Sequence, residues 1–189
     1  LRSGDTITVN ENSFLRMKLD KDKYVYLEGA ALIHLIAEGD EKDSKTVINI
    51  ELGTMITEVQ NKLSDRSSYE INTPSTTMAI RGTITVTEVT YELKEQENAV
   101  SKEALLQFLL EKNGYAEIDI DENTDPSLSE MQSTLKAVFE QGVDVAASNY
   151  VQEGKVQISA FEKENAEGTT YLTVVQIPVE AGNGFTKTT

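Results

Sequence analysis

Apolar and polar residues alternate in short runs through residues 1–93. A two-residue period places successive side chains on opposite faces, so each run predicts a half-buried β-strand. Glycines and polar turns separate the runs, which are DTITV, SFLRMKL, KYVYLEG, AALIHLI, TVINIEL, TMITEV, SYEINT and ITVTEVTYEL. Short strands with turn signals at this spacing predict a mainly β fold, either an antiparallel β-sandwich or a related coiled β architecture.

The pattern changes to a helical period between about residues 97 and 148. Ser101 is a predicted N-cap for the run KEALLQFLLEK, and Asn113-Gly114 is its predicted end. After a short strand-like piece, YAEIDI, a second helix is predicted from Asp125-Pro126 through SLSEMQSTLKAVFEQG. Its apolar positions fall on one face, which predicts ordinary core packing; they are Leu128, Met131, Leu135, Val138 and Phe139.

Strand-like runs resume at Tyr150, with YVQEGKVQISAFEK and YLTVVQIPVEAG. Their turn chemistry matches that of the first ninety residues. We therefore expect one domain over residues 1–189, α+β overall, in which a β core is interrupted by a helical insertion at about 97–148.

Charge and composition narrow the classes of partner. Lysine and arginine number 17 against 32 aspartates and glutamates, which gives a net charge of −15. Such a surface repels phosphate backbones and anionic headgroups, so we expect neither nucleic-acid binding nor peripheral membrane binding. No run of ~20 apolar residues is present, so we also expect no direct membrane insertion by this segment. The chain has no cysteine and one histidine, His34, whose apolar neighbours indicate a structural role.

Motifs that carry catalysis are missing from the sequence. It contains no Gly-x-Ser-x-Gly, no phosphate-binding loop, no His-Glu-x-x-His and no dinucleotide fingerprint. With 32 acidic residues, a carboxylate pair at glycosidase distance would arise by chance. We expect no enzymatic activity, no catalytic residues and no organic cofactor.

One acidic segment, DIDENTDPSLSE, has the spacing of a calcium-binding loop. The candidate calcium ligands are Asp119, Asp121, Asn123, Asp125, Ser127 and Glu130. Thr124 stands where such loops need glycine, and Pro126 occupies the usual apolar position. The alternative is a helix start in which Asp125 caps, Pro126 is the first helical residue, and the other acids are solvated.

The stretch YEINTPSTTMAIRGT, residues 69–83, places a fixed positive charge between two strand-like runs. Arg81 is predicted to be buried and to pair with a carboxylate or with backbone carbonyls, because a planar guanidinium suits bidentate contacts. Gly82 is predicted to allow a close backbone approach or a bulge. The alternative for this block is direct contact with a ligand.

Several of these stretches, in order, resemble the FecR family. LRSGDTITV with NSFLRMKLDKDKYVYLEGAALIHL is similar to its opening, and VQEGKVQIS and VEAGNGFT are similar to its later strands. The most specific part is the motif formed by Thr73, Pro74, Arg81, Gly82 and Thr83. The resemblance covers residues 1–92 and 150–189; the helical insertion departs from the family pattern.

The resemblance implies a non-enzymatic, extracytoplasmic β domain, periplasmic or on the cell surface, of a membrane-anchored protein. It would act in signal transduction by protein–protein contact. The chain has no run of ~20 apolar residues, so an anchor would lie upstream of Leu1. The alternative is a cell-envelope binding or scaffold module for protein or glycan, although tryptophan is absent and the seven tyrosines are scattered in sequence.

Overall fold

The computed structural model describes residues 1–40, 43–93, 100–114, 126–166 and 169–189, with the backbone alone at 126–132, 162–166 and 169–173. The described residues form eleven strands: β1 Thr6–Val9, β2 Phe14–Lys18, β3 Lys23–Gly39, β4 Ser44–Val59, β5 Ser68–Asn72, β6 Thr76–Ile80, β7 Ile84–Glu92, β8 Asp144–Glu153, β9 Lys155–Ala166, β10 Thr169–Glu180 and β11 Asn183–Thr188. Two helices, α1 Lys102–Lys112 and α2 Pro126–Gln141, lie between β7 and β8.

The strands form one sheet that branches at the long β3–β4 hairpin. In the first arm, the strand order is β1, the second half of β3, the first half of β4, then β5, β6, β9 and β10. In the second arm, the order is β2, the first half of β3, the second half of β4, then β7, β8 and β11. The strands after the helices therefore pair with strands that precede them.

The hairpin bends where the two arms diverge. Pairing passes from Glu28–Thr54 directly to Leu32–Leu52, so three residues of β3 face one residue of β4. That one residue is Gly53, at φ +99°, and a Cβ there would lie 2.6 Å from the Ala30 carbonyl oxygen. A positive φ and so close a neighbouring backbone can both be tolerated only by glycine, which has no Cβ. Gly53 therefore permits the bend.

The two arms cover a common apolar core. Both contribute fully buried side chains to one cluster, including Ile48, Ile71 and Ile158 from the first arm and Val25, Met55 and Val151 from the second. The single sheet therefore wraps around one core in a nearly closed, barrel-like arrangement. The predicted mainly β fold with inserted helices is confirmed.

A second, smaller core lies outside the bend, under the helices. Ala30, Leu32 and Leu52 of the hairpin pack against leucines of α1 and Leu135 of α2. This explains the continuous apolar run at residues 30–33, because at the bend both faces of β3 are covered. The predicted limits of α1 are confirmed: the Ser101 hydroxyl accepts from the Ala104 N–H at 3.1 Å, and Gly114 follows the Asn113 cap at φ +73°.

Three details of the predicted strands are wrong. KYVYLEG and AALIHLI form the single strand β3, and TVINIEL and TMITEV form β4, because Gly29 and Gly53 bend the chain without reversing it. The sheet is not purely antiparallel, since β4 and β5 pair in parallel. The insertion is also shorter than predicted: β8 begins at Asp144, directly opposite Glu92. The strand-like piece YAEIDI lies outside the described residues.

Candidate interaction surface

Over its first four residues, strand β7 has its apolar side chains on the outer face, whereas Val89 further along is completely buried in the core. Thr85 and Thr87 are completely buried, whereas Ile84 and Val86 face outward and are partly exposed. The alternation follows the β period, but its polarity is opposite to that of a strand whose apolar face lies on the core. A contiguous apolar patch on the surface of a folded domain is a candidate interaction site.

Register aligns these outward residues with apolar residues of the neighbouring strands. Val86 is directly opposite Ile56 of β4 on one side and Tyr150 of β8 on the other. Ile56 is in turn opposite Tyr26 of β3. We call this row of Tyr26, Ile56, Val86 and Tyr150 the outer-face stripe. It crosses four adjacent strands of the second arm, and Tyr150 is 45% exposed.

Cations border the stripe at its β2 end. Arg16 is opposite Tyr26, and its guanidinium carbon lies 5.3 Å from the Tyr26 ring centroid and 5.6 Å from that of Tyr24. The Lys18 ammonium lies 5.4 Å from the Tyr24 centroid. Distances below ~6 Å fit cation–π contacts, which hold both cations over the rings. Phe14, on the same edge strand, is 82% exposed.

Carboxylates border the stripe along its length. Two residues along the strands on one side of the stripe, Glu28 and Glu88 lie on the same outer face. Two residues along on the other side lies Glu58. The Glu58 carboxylate also accepts a long hydrogen bond, 3.5 Å, from the Tyr26 hydroxyl. The surface is therefore an apolar and aromatic centre with acidic rims and a basic end.

The inner face of the same strands is unusually polar. Asn149 connects the arms: it accepts from the Thr87 hydroxyl at 3.2 Å and donates to the Thr76 hydroxyl at 3.1 Å. Thr57 and Thr85, by contrast, have buried hydroxyls without a hydrogen-bond partner among the described residues. Buried hydroxyls of this kind destabilise the fold. At Thr85, β7 therefore places a polar group in the core while its apolar neighbours Ile84 and Val86 lie on the outer face.

A buried phenol lies beside these threonines. Burial raises the pKa of Tyr69 well above its ordinary value, and its phenol interacts with the Thr57 hydroxyl without reaching hydrogen-bond geometry. Tyr91, near the second core, also has its pKa raised by burial and by the charge of Glu51. Neither phenol ionises near neutral pH, so both serve as packing groups.

The Arg-Gly-Thr block lies where β6 passes to β7, and the expectation of a buried Arg81 is wrong. Its side chain is 59% exposed, and its contact with the 93%-exposed Asp65 carboxylate is long, at 3.8 Å. The connection runs along the surface, so the guanidinium stays in water. Gly82 does approach another backbone closely: at φ +117°, its Cβ would lie 3.1 Å from the Cα of Lys62.

The other motif residues form a turn and a packed junction. The Thr73 hydroxyl accepts from the Thr76 N–H at 2.9 Å, closing the β5–β6 turn at Pro74. Thr83 is buried, and its carbonyl accepts a hydrogen bond from the Val59 N–H at 2.9 Å. Its methyl group occupies the space that a Cβ at Gly154 would need. Both places join strands, and neither belongs to the outer-face stripe.

The candidate calcium ligands cannot be placed together. Asp119, Asp121, Asn123 and Asp125 lie outside the described residues, and Ser127 and Glu130 lie in α2, where only the backbone is described. Within the described residues, no group of three or more acidic or histidine side chains could hold a metal ion. Calcium binding stays a prediction. His34 is partly buried on β3, with Nδ1 3.2 Å from the hydroxyl of Thr6 opposite it.

The helices contribute less apolar surface than their amphipathic pattern suggests. Ala104, Leu105, Leu106, Leu109 and Leu110 of α1 are all buried in the second core. The apolar face of α1 is thus covered by the hairpin bend and by α2. Of the helices that the structure describes, none has the length and apolarity needed to cross a bilayer.

Comparison with known proteins leaves the family open. No protein-family profile matches the chain, and no curated protein matches it. Two crystal structures of a protein from Parabacteroides distasonis, classed provisionally as an anti-sigma factor, superpose with a TM-score of 0.45 and 12% identity. The superposition covers 98% of this chain and 59% of that protein. A match this remote carries no functional argument.

Proposed function

We propose that this chain is a non-enzymatic sensor or regulatory domain of a membrane-anchored signalling protein, outside the cytoplasm, and that it binds a protein partner through the outer-face stripe. The observation that carries the proposal is the orientation of β7, with Val86 outward and Thr85 and Thr87 buried. The extracytoplasmic and signalling parts rest on the sequence resemblance of the Thr73-Pro74 and Arg81-Gly82-Thr83 blocks.

The dimensions of the surface suit the centre of a protein interface. Adjacent strands lie ~4.8 Å apart, and alternate residues along one strand lie ~6.8 Å apart. The outer face of the five adjacent strands β2, β3, β4, β7 and β8, taken over three outward-facing residues of each strand, therefore spans roughly 19 by 14 Å. Specific protein interfaces bury ~800 Å² on each partner, with an apolar centre and a polar rim. The stripe supplies that centre, and its acidic borders supply part of the rim.

The charges define the partner's chemistry. Glu28, Glu58 and Glu88 border the stripe, within a chain of net charge −15. A partner surface with an apolar centre and lysine or arginine on its flanks complements this pattern. Long-range attraction between opposite charges also speeds the encounter of such partners, and salt weakens that effect.

A glycan-binding module is the second candidate, and one observation favours it. Tyr24 and Tyr26 of β3 and the sequence-distant Tyr150 of β8 all lie on the outer face of the second arm. Aromatic rings on a flat sheet face can stack on sugar rings. However, Arg16 and Lys18 already lie over Tyr24 and Tyr26. The protein partner is therefore the better-supported proposal.

Site-specific photo-crosslinking in intact cells tests the contact. A photoreactive amino acid placed at Tyr150 or at Val86 should trap one discrete protein. The matched control is the same photoreactive amino acid at Lys136, which is exposed on α2, a helix that packs on the second core. Equal trapping from Lys136, or none from either stripe position, would contradict the proposal. Protease accessibility in spheroplasts tests the location: a chain that stays protected there is cytoplasmic.

A further inference from the structure

A separate feature lies where the free ends of the two arms meet. Lys23 is the first residue of β3 and Ser44 the first of β4, and the bend brings the Lys23 ammonium within 3.0 Å of the Ser44 hydroxyl. A cleft of about 490 Å³ opens on one side of this contact. A smaller cavity, about 200 Å³, shares Asp20, Lys23 and Ser44 with it.

Lys23 is a nearly buried cation at the base of the cleft. Its side chain is 2% exposed, and its ammonium donates to Asp20 at 2.8 Å and to Ser44. An ammonium has three donors, so one N–H lacks a hydrogen-bond acceptor among the described residues. The Tyr69 ring is near it, with the centroid 6.0 Å from the nitrogen, which is a weak contact.

Further cations line the same cleft. Arg2, Lys18 and Lys45 border it, so four of the chain's 17 basic residues lie here. None of these three forms an ion pair within the described ranges, and Lys18 contacts only the Tyr24 ring. Lys23 is paired with Asp20, whereas the other three cations leave positive charge at the rim, which favours an anion in a chain of net charge −15.

The remaining lining limits the kind of anion. Leu19, Leu35 and Ala37 provide apolar walls, and Asp20, Glu38 and Asp40 provide negative charge. Burial is the largest single influence and raises the pKa of Asp20, but the hydrogen bond and charge of Lys23, together with backbone N–H groups of Asp22 and Lys23, lower the pKa below its ordinary 3.8. Asp20 therefore stays ionised at neutral pH. These acids disfavour a polyphosphate, whereas a short carbon chain with separated carboxylates suits both the walls and the cations.

We infer that this cleft binds a small dicarboxylate, one carboxylate on the Lys23 ammonium and the other between Lys45 and Arg2 at the rim. The volume lies within the range of small-molecule sites. The inference does not depend on the protein contact proposed above, because the stripe and the cleft are different surfaces. Lys18 is the one residue that borders both.

Titration of the ¹⁵N-labelled full chain by NMR, at constant ionic strength, tests the inference. Succinate is the probe, and succinamide, of the same length without charge, is its control. Succinate should shift the amides of Lys23 and of residues 44–46 saturably, and succinamide should not. Lys45→Gln should weaken succinate binding about tenfold, the worth of one charge-assisted hydrogen bond. Lys136→Gln, on α2, should leave it unchanged.

Lys23→Met provides a second variant at the base of the cleft. It should abolish saturation, provided that its amide spectrum retains the dispersion of the folded chain. If it does not fold, Arg2→Gln, at the exposed rim, replaces it and should weaken binding as Lys45→Gln does. The inference would be overturned by succinate shifts that do not saturate, by equal shifts with succinamide, or by equal affinity for sulfate. Equal effects of Lys45→Gln and Lys136→Gln on succinate binding would overturn it as well.

Discussion

Thr57 lies directly opposite Thr85 across β4 and β7, and both side chains are completely buried, with no hydrogen-bond partner for either hydroxyl among the described residues. Their neighbours Ile56 and Val86 oppose each other on the solvent side of the same pair. At this position the polarity of the strand pair is reversed, although Met55 and Val89 on the same inner face are buried and apolar. Packing of the core alone would favour the aliphatic pair inside, and the protein contact proposed for the outer face would account for the reversal.

Thr85→Val should therefore stabilise the fold, by about 1–2 kcal/mol, because it removes a buried hydroxyl and keeps the shape of the side chain. Thr87→Val is the matched control on the same strand. It should destabilise, since the Asn149 carbonyl loses the hydrogen bond from Thr87. Urea denaturation measures both. A destabilised Thr85→Val would show that the Thr85 hydroxyl is hydrogen-bonded in solution.

The bend at Gly53 should tolerate no side chain. Gly53→Ala combines a positive φ with a Cβ 2.7 Å from that of Ala31, so crowding adds about 1–3 kcal/mol to the backbone strain. Gly29→Ala is the control: Gly29 has φ +70° and open space around it, so only the strain of about 1–2 kcal/mol applies. Similar melting temperatures for the two variants would show that the bend adjusts.

In the Arg-Gly-Thr block, the glycine should matter more than the arginine. Arg81→Ala should change the free energy of unfolding by less than about 1 kcal/mol, because the pair with Asp65 is long and exposed. Gly82→Ala should cost about 1–3 kcal/mol, from its φ of +117° and the nearby Lys62 backbone. An Arg81→Ala loss as large as that of Gly82→Ala would restore the buried-arginine hypothesis.

The β core should fold without the helices. Glu92 and Asp144 are directly paired, so residues 93–143 can be replaced by Asn-Gly as a two-residue hairpin turn. Leu32→Thr and Leu52→Thr should accompany the deletion, since both leucines would otherwise lose their helical cover. We expect one cooperative urea transition at lower stability than the full chain. Separate transitions for the strands before and after the deletion would contradict the one-domain prediction.

Local signals predicted the helical part of the fold well. The Ser101 cap, the leucine periodicity and Asn113-Gly114 all act within one helix, so the limits of α1 could be derived from sequence. The bend was missed because a glycine between two apolar runs is compatible with either a turn or a bulge. Which one forms depends on Gly53 meeting Ala31, a contact between residues distant in sequence.

The candidate surface could not be derived in the same way. The stretch ITVTEV shows the two-residue period, but threonine and valine are both β-branched, so the period does not reveal which set faces inward. The stripe also depends on register across four strands. Tyr26 and Tyr150 belong to separate motifs in the sequence and share a face only after β3, β4, β7 and β8 are paired.

The affinity of the partner trapped at Tyr150, measured by calorimetry for two charge variants of β7, tests the central claim most directly. Val86→Glu puts a carboxylate at the centre of the stripe, and Thr90→Glu puts one on the same outer face, beyond the stripe. Val86→Glu should weaken binding at least thirtyfold, roughly 2 kcal/mol as for an interface hot spot. Thr90→Glu should stay within about threefold of the unmodified chain. Equal affinities for the two variants would contradict docking on the outer-face stripe.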